Sequence, residues 1–455
     1  DTLAGFIPNA SMTFTEGERE RSNIALTAQF APNDRNTFTV DVLYARNDQN
    51  QQSVGDLPFF VRQFDFVAFD KNPVFSVPTL LGEPLVSGAG SDFTQAGKEL
   101  PFRNSLFAIR DELRSFGANW DYKINDSWTI NVDAYSAKAS AGGNGPGGSI
   151  SNAVSLGGQA VAFQFIDFRS DLTQAVQAIA DGSGPTSNLV GGVRTNYAGG
   201  NRNGVFEKSD LGAQWMLQAF REQESIMDQL QLKGSWDNDG AVTANFGLGY
   251  YDNEIVQLNT NYSDELGGWN TGFIGDIVKL MGADSVQEIC IACKFNDHDN
   301  LILSESELLA QYAAAGGTLA PGAKYRVVGQ NAFFVNPIAA AEAFNGYTSG
   351  GGKVFNKDKR SQTGANDRTI RESALSAFGE VVLDSAVGDM PMQVVLGLRY
   401  EETDVESSSV QTIPIGKDWA SDNDFNTRFG PASSVVQTYN YNVFLPNMDL
   451  SLDVT

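Results

Sequence analysis

Two cysteines, Cys290 and Cys293, stand in the segment EICIACK, and the only histidine, His298, follows them between Asp297 and Asp299. Two thiolates, an imidazole and a carboxylate make the donor set of a tetrahedral zinc site. A CxxC pair is also redox chemistry or half of a larger metal site, but no second CxxC occurs. A small loop disulfide between Cys290 and Cys293, formed in an oxidising compartment, is therefore the expected state. Oxygen donors crowd at Asp297 to Asn300 (DHDN) and at Asp422 to Asn426 (DNDFN). Calcium takes such donors, yet neither segment carries the glycine and terminal glutamate of an EF-hand loop. Solvated acidic turns are the default; no cofactor is expected, and calcium in these acidic loops stays open.

A third candidate is the segment NTNYSDELGGWN, in which Tyr262, Trp269 and Asn270 set aromatic faces beside amides and carboxylates. Sugars are held by such surfaces, because a ring face packs on an aromatic and planar polar groups take the hydroxyls. Aromatics that anchor a loop by packing locally have the same composition. Catalysis has little to stand on. The chain has no G-x-S-x-G, no P-loop, no H-E-x-x-H and one histidine, and its 55 carboxylates guarantee chance acid pairs. No enzyme activity is expected.

The elements that must carry these groups are strands with one apolar and one polar face. In Ser115 to Lys138, Phe116, Ala118, Trp120 and Tyr122 alternate with Asn119 and Asp121; a turn at Asn125 and Asp126 follows; Trp128, Ile130 and Val132 then alternate with Thr129, Asn131 and Asp133. The pattern recurs around turns at Pro32 to Arg35, Asp237 to Gly240 and Gly388 to Asp389, and a further strand is expected near Tyr439 to Leu452. These turns carry the Asn, Asp, Gly and Pro residues of tight hairpins. Between the pairs the chain makes long excursions at 47–111, 139–224, 253–371 and 405–438. Connections this long are uncommon in compact domains, whereas short turns on one side and long loops on the other are the wiring of outer-membrane barrels. The fold class expected is all-β: an antiparallel transmembrane β-barrel segment whose apolar face meets lipid, with long extracellular loops containing short helices. Those helices are expected after Ser304, after Asn336 and over Ser170 to Ala180. An aromatic-rich β-sandwich is the alternative.

Composition agrees with the barrel. A mean hydropathy of −0.23 with no long apolar run leaves no spanning helix. A net charge of −24 disfavours nucleic acid, whose phosphates need clustered Lys and Arg. On the polar faces, Asp41, Asn245, Tyr251, Arg399 and Glu401, with Thr39 and Thr243, would point into a lumen.

Four segments carry a family resemblance: APNDR (Ala31 to Arg35) before TFTVDV, ESALSAFGE (Glu372 to Glu380), VVLGLRYEET (Val394 to Thr403) and FLPNMDLSL (Phe444 to Leu452). They resemble barrel segments of TonB-dependent outer-membrane receptors, most of all a proteobacterial subgroup with very long extracellular loops. The most specific part is G-L-R-Y-E-x-T followed later by L-P-N-x-x-L. The resemblance implies a place in the cell outer membrane, within a barrel of 22 strands closed by a plug domain. Residues 1–455 would be an interior piece, with signal peptide, plug and C-terminal strands outside it; nine strands, an odd number, fit that expectation. It also implies ligand-gated active import of a scarce extracellular small ligand, an oligosaccharide first, otherwise a ferric chelate or cobalamin. The implied partners are the energy-coupling TonB complex, reached through the plug, and outer-membrane lipid and lipopolysaccharide. The polar lumen set would face the plug. The alternative is an exported adhesin or structural β-protein with surface-binding loops.

Overall fold

Nine strand paths, each far longer than a typical strand, pair side by side in one antiparallel sheet. In this computed structural model the described chain excludes residues 1–2, 6, 8, 57–65, 85–97, 169–175, 181–186, 191–192, 197–206, 238, 267–274, 295–303, 318–324, 329–330, 349–353, 358–366, 422–423 and 454–455. The wall strands are β1 (Met12–Asn33), β2 (Asn36–Asp56), β3 (Lys98–Lys123), β4 (Trp128–Gly143), β5 (Ser149–Asp167), β6 (Gly212–Asp237), β7 (Val242–Glu265), β8 (Arg368–Val387), β9 (Met390–Gln411) and β10 (Ser433–Leu452). Each pairs antiparallel with the next, except that β4 and β5 share one path. β3 meets β4 up to Ile109↔Gly143 and then β5 from Phe107↔Ser151, while β6 passes from Phe220↔Ser149 to Glu222↔Gly142. The intervening Asn144–Gly148 is thus a bulge in a single strand. Gly147 and Gly148 have φ of 64° and 80° there, a conformation glycine takes without penalty.

The turns form for the reasons their residues give. Asn33 Oδ1 accepts from the backbone N–H groups of Arg35 and Asn36, and Asn125 Oδ1 accepts from those of Ser127 and Trp128. Asp237 Oδ1 accepts from Asp239 N–H, and Gly388 takes φ 66°. Side chains that mimic a backbone turn fix these hairpins.

Register places one residue set on each face. Leu26↔Val42, Phe116↔Val42, Trp120↔Val132, Leu232↔Val132, Leu232↔Leu248, Leu375↔Tyr250, Leu398↔Gly379 and Leu398↔Pro446 put the apolar alternates of all nine paths on one face. They stand open: Leu26 is 63% exposed, Phe116 50%, Leu398 51% and Met448 72%. Trp120 and Ile130 lie on the same face and are half-buried among their neighbours. The side chains do not converge on a core, so the sandwich alternative is out. Near the tight turns the band ends in Trp120, Tyr122, Trp128 and Trp236; towards its other limit stand Tyr44, Tyr250 and Tyr400. From Val242 to Tyr250 it runs about 27 Å along a strand at ~3.4 Å per residue.

Two expectations are corrected. The excursions are shorter than 47–111, 139–224, 253–371 and 405–438, because the ladders continue past the apolar band; the wall strands end at Asp56, resume at Lys98, and stop again only at Asp167, Glu265 and Gln411. Beyond the apolar band the alternation gives way to polar runs such as Asn47 to Gln52, so the period fades in sequence while the backbone pairing persists. The end of the helix expected over Ser170 to Ala180 is a strand, Val176–Ala180, paired with both β5 and Tyr325–Val328; the earlier residues lie outside the described ones. Cross-strand pairing and buried Val176 outweigh local helix preference there. The sheet is open, as a barrel segment would be: among the described residues β1 pairs only with β2, and β10 only with β9.

The expected loop helices after Ser304 and Asn336 are present. In α2 (Glu305–Ala314), following α1 (Asp276–Met281), Ser304 Oγ accepts from Glu307 N–H and the Glu307 carboxylate accepts from Ser304 N–H. In α3 (Pro337–Ala343), Asn336 accepts from Ile338 and Ala339 N–H. These are the capping box and the asparagine cap that the residues announce.

Candidate functional site

The concave face carries the polar alternates. Thr27 Oγ donates to Asp41, Asn245 Nδ2 donates to Glu380 Oε1 at 3.1 Å, and Arg399 Nη2 lies 2.6 Å from Glu401 Oε2. Tyr251, Arg399 and Glu401 line one cavity of about 480 Å³ with Gln229, Lys233 and Glu372. Register therefore brings Tyr251, Arg399 and Glu401 together across β7 to β9, puts Asn245 below them, and leaves Asp41 on the far side of the wall on β2. Asn119, Asp121, Asn131 and Asp133 add a rung in which each asparagine amide donates across the β3–β4 pair. These side-chain bonds tie neighbouring strands together across the lower polar face.

Sequence reasoning missed the upper concave wall. Arg19 and Arg21 share a face with Thr27, and Arg221 and Arg368 share the corresponding face of β6 and β8. Arg19 and Arg21 line a cavity of about 430 Å³ with Asn47, Asp111 and Gln223; Arg221 and Arg368 line another of about 670 Å³ with Gln223, Gln257 and Asn259. Gln223 belongs to both. Carrying the two-residue period beyond Ile24 and Leu230 would have found them, although no apolar partner marks it there.

Outward, above the band, five cations meet carboxylates. Asp48 meets Arg46 and Arg110, each at 2.6 Å; Arg114 meets Glu112, Lys138 meets Glu224, and Arg371 meets Asp252.

The excursion between β7 and β8 folds into a lobe. Gln287–Cys290 pairs with Asn331–Phe334, and Phe333 and Phe334, Val335, Ala340 and Phe344 pack with Val54, Phe102, Val154 and Met216 of the upper wall. Those wall residues share the register of the outward face, so the lobe docks on that face and not across the concave one. Asp276, only 6% exposed, pins the joint. Its carboxylate accepts from Ala213 N–H at 2.9 Å and from the Tyr347 hydroxyl at 3.1 Å. Burial raises its pKa to about 7, against the opposing pull of these donors.

Tyr262 is a core residue of this lobe, 7% exposed and 5.9 Å from the Phe355 ring, so it offers no open face for a sugar. Apolar packing takes a loop tyrosine when a neighbouring ring is available. Trp269 and Asn270 lie outside the described residues, as do Asp297, His298, Asp299 and Asp422. Cys290 and Cys293 are joined as a disulfide with Cα atoms 5.3 Å apart, which removes the thiolates a zinc site would need. Among the described residues no group of acidic, histidine or cysteine side chains is arranged to hold a metal ion.

No family model matches the sequence, and no curated protein matches it. Among solved structures the chain is similar to the siderophore receptor PiuA from Acinetobacter baumannii, at 10% identity and a TM-score of 0.28, over 98% of this chain and 48% of that one. The chain thus spans about half the length of that receptor, and at this overlap nothing about ligand or mechanism carries across.

Proposed function

We propose that the chain is part of the wall of an outer-membrane receptor of the TonB-dependent kind, which imports a scarce extracellular small ligand at the expense of inner-membrane energy. The observation that carries the membrane part is the continuous apolar band on one face of nine paired strand paths, with aromatic residues towards both limits and a polar opposite face. The strand motifs GLRYEET and LPNMDL support the receptor kind, as do strands that run far above the band and carry a packed lobe. A passive pore has no use for so much ordered structure outside the lipid. Unpaired edges at β1 and β10 would take partner strands in a complete barrel. The outward ion pairs lie where headgroups and lipopolysaccharide would meet the wall. Of the ligand classes, oligosaccharide loses the support of Tyr262, and ferric chelates and cobalamin stand beside it.

Uptake by the full-length receptor in cells, with the energy-coupling complex present or deleted, tests this reading. Accumulation of a ligand that depends on that complex is the expected result. Surface adhesion without any energised uptake would replace the importer with an exported adhesin.

A further inference from the structure

We infer that the upper concave wall selects an anionic ligand, through arginines whose charge the protein leaves uncompensated; this rests on the importer reading and narrows its ligand. The contrast between faces carries it. Outward, Arg46, Arg110, Arg114, Lys138 and Arg371 each meet a carboxylate. On the upper concave face, Arg19 and Arg21 donate from Nε to the amide oxygen of Asn47, at 2.6 and 3.3 Å, and Arg221 donates from Nε to Asn259 at 3.0 Å. A neutral amide orients a guanidinium without cancelling its charge, and leaves its outer N–H groups directed elsewhere.

The two cavities sharing Gln223 make the balance explicit. Their lining carboxylates are Asp111, bound by Asn47, and Glu112, already paired with Arg114; Arg46 is likewise paired with Asp48. That leaves Arg19, Arg21, Arg221 and Arg368 against Asp111 alone, a surplus of three positive charges (4 − 1) in a chain of net charge −24. Acidic surroundings repel anions at long range, so an anion enters only if local cations outweigh that field. Exposed arginines in an acidic protein ordinarily find carboxylates. These four are kept from them.

Position adds the shape of the ligand. Arg221 pairs with Asn259 and Arg368 with Gln257, so the two arginines sit on either side of β7, about 12 Å apart at a strand spacing of ~4.8 Å and a two-residue offset of ~6.8 Å along it. Arg19 and Arg21 form a second pair on β1. A guanidinium presents a planar fork that fits carboxylate or phosphate oxygens two at a time. The recognised chemistry is therefore a small compound with more than one such group, either a metal chelate of hydroxycarboxylates or an acidic oligosaccharide. The lower wall, where Arg399 is already held by Glu401, lacks this surplus.

The test measures binding to the full-length receptor in detergent, with four probes: ferric citrate, a neutral ferric trihydroxamate, a galacturonate oligomer and a neutral glucan oligomer. An anionic probe should bind, weaken with added salt, and lose about tenfold or more in affinity in Arg221→Gln and in Arg19→Gln/Arg21→Gln. Arg221→Lys should retain part of it. Ferric citrate against galacturonate separates the two sources. An unchanged thermal unfolding profile in the glutamine variants excludes a folding defect. Binding confined to a neutral probe, or anion binding indifferent to these substitutions, overturns the inference while energised uptake upholds the importer reading. Absence of energised uptake for every compound removes that reading itself.

Discussion

The joint between lobe and wall should loosen as pH rises, because Asp276 is the carboxyl that holds it. Its pKa rises from 3.8 to about 7 on docking, which corresponds to about 4 kcal/mol in favour of the protonated form. A carboxyl whose docked pKa is raised contributes stability that is fully present below 3.8 and is lost as pH climbs through about 7. Between about pH 5.5 and about pH 8.5 the change is about 2 kcal/mol, or roughly 30-fold in the opening equilibrium. Asp276→Asn stays neutral and keeps an acceptor for Ala213 N–H, so its docking should not vary with pH. Asp276→Ala leaves the buried Ala213 N–H and the Tyr347 hydroxyl without their acceptor and should cost about 1–3 kcal/mol for each at every pH. Hydrogen exchange read on peptides around Ala213 and Tyr347, corrected for the intrinsic rate, measures the opening. Protection in the parent that does not change over this range, or a pH profile in Asp276→Asn that follows the parent, would refute the reasoning.

Other consequences concern the wall and the lobe. Leu248→Arg, at an outward position 55% exposed, should destabilise the protein in a bilayer by about 2–4 kcal/mol, whereas a concave-face Gln231→Arg should be nearly neutral; unfolding from liposomes checks both. Arg399→Gln breaks a pair whose arginine is half in water, so its effect on unfolding should stay below about 1 kcal/mol. Replacing Cys290 and Cys293 by serine should lower lobe protection in hydrogen exchange by at most about 2 kcal/mol, because so short a loop restricts the unfolded chain little. Exchange in β8 and β9 should not respond.

Legibility followed the solvent on each side of the sheet. Where one face is apolar and open, as from Val242 to Tyr250, the alternation of Val, Ala, Phe, Leu and Tyr with Thr, Asn and Gly announces strand, face and register together. Twelve residues further on, Tyr262 still belongs to β7, but its two faces meet the lobe and a polar cavity, and the sequence there reads as loop. Helix caps at Ser304 and Asn336 were legible because capping is local. The strand at Val176–Ala180 was not, since one of its two partners, Tyr325–Val328, is remote in sequence. Of the site residues, Arg399 and Glu401 could be paired from their two-residue spacing. The four upper arginines could not be seen as a group, because they sit on three strands, β1, β6 and β8, that only register across the sheet brings onto one face.

The docking of the lobe bears on how such a wall could admit a ligand. Val54, Phe102 and Met216 bury the lobe on the outward register, and Asp276 fastens it to β6 on that same side. The upper arginines face the opposite way, so among the described residues the lobe does not stand between them and the concave space. A charged ligand therefore meets Arg19, Arg21, Arg221 and Arg368 without first displacing this packed core. Were the lobe instead folded over the concave face, its buried apolar residues would shield the arginines, and their charge would require carboxylate partners as the outward ones do. Among the described residues, the absence of those partners on the upper concave face and their presence on the outward one is what a wall would need if its inner surface waits for an anion.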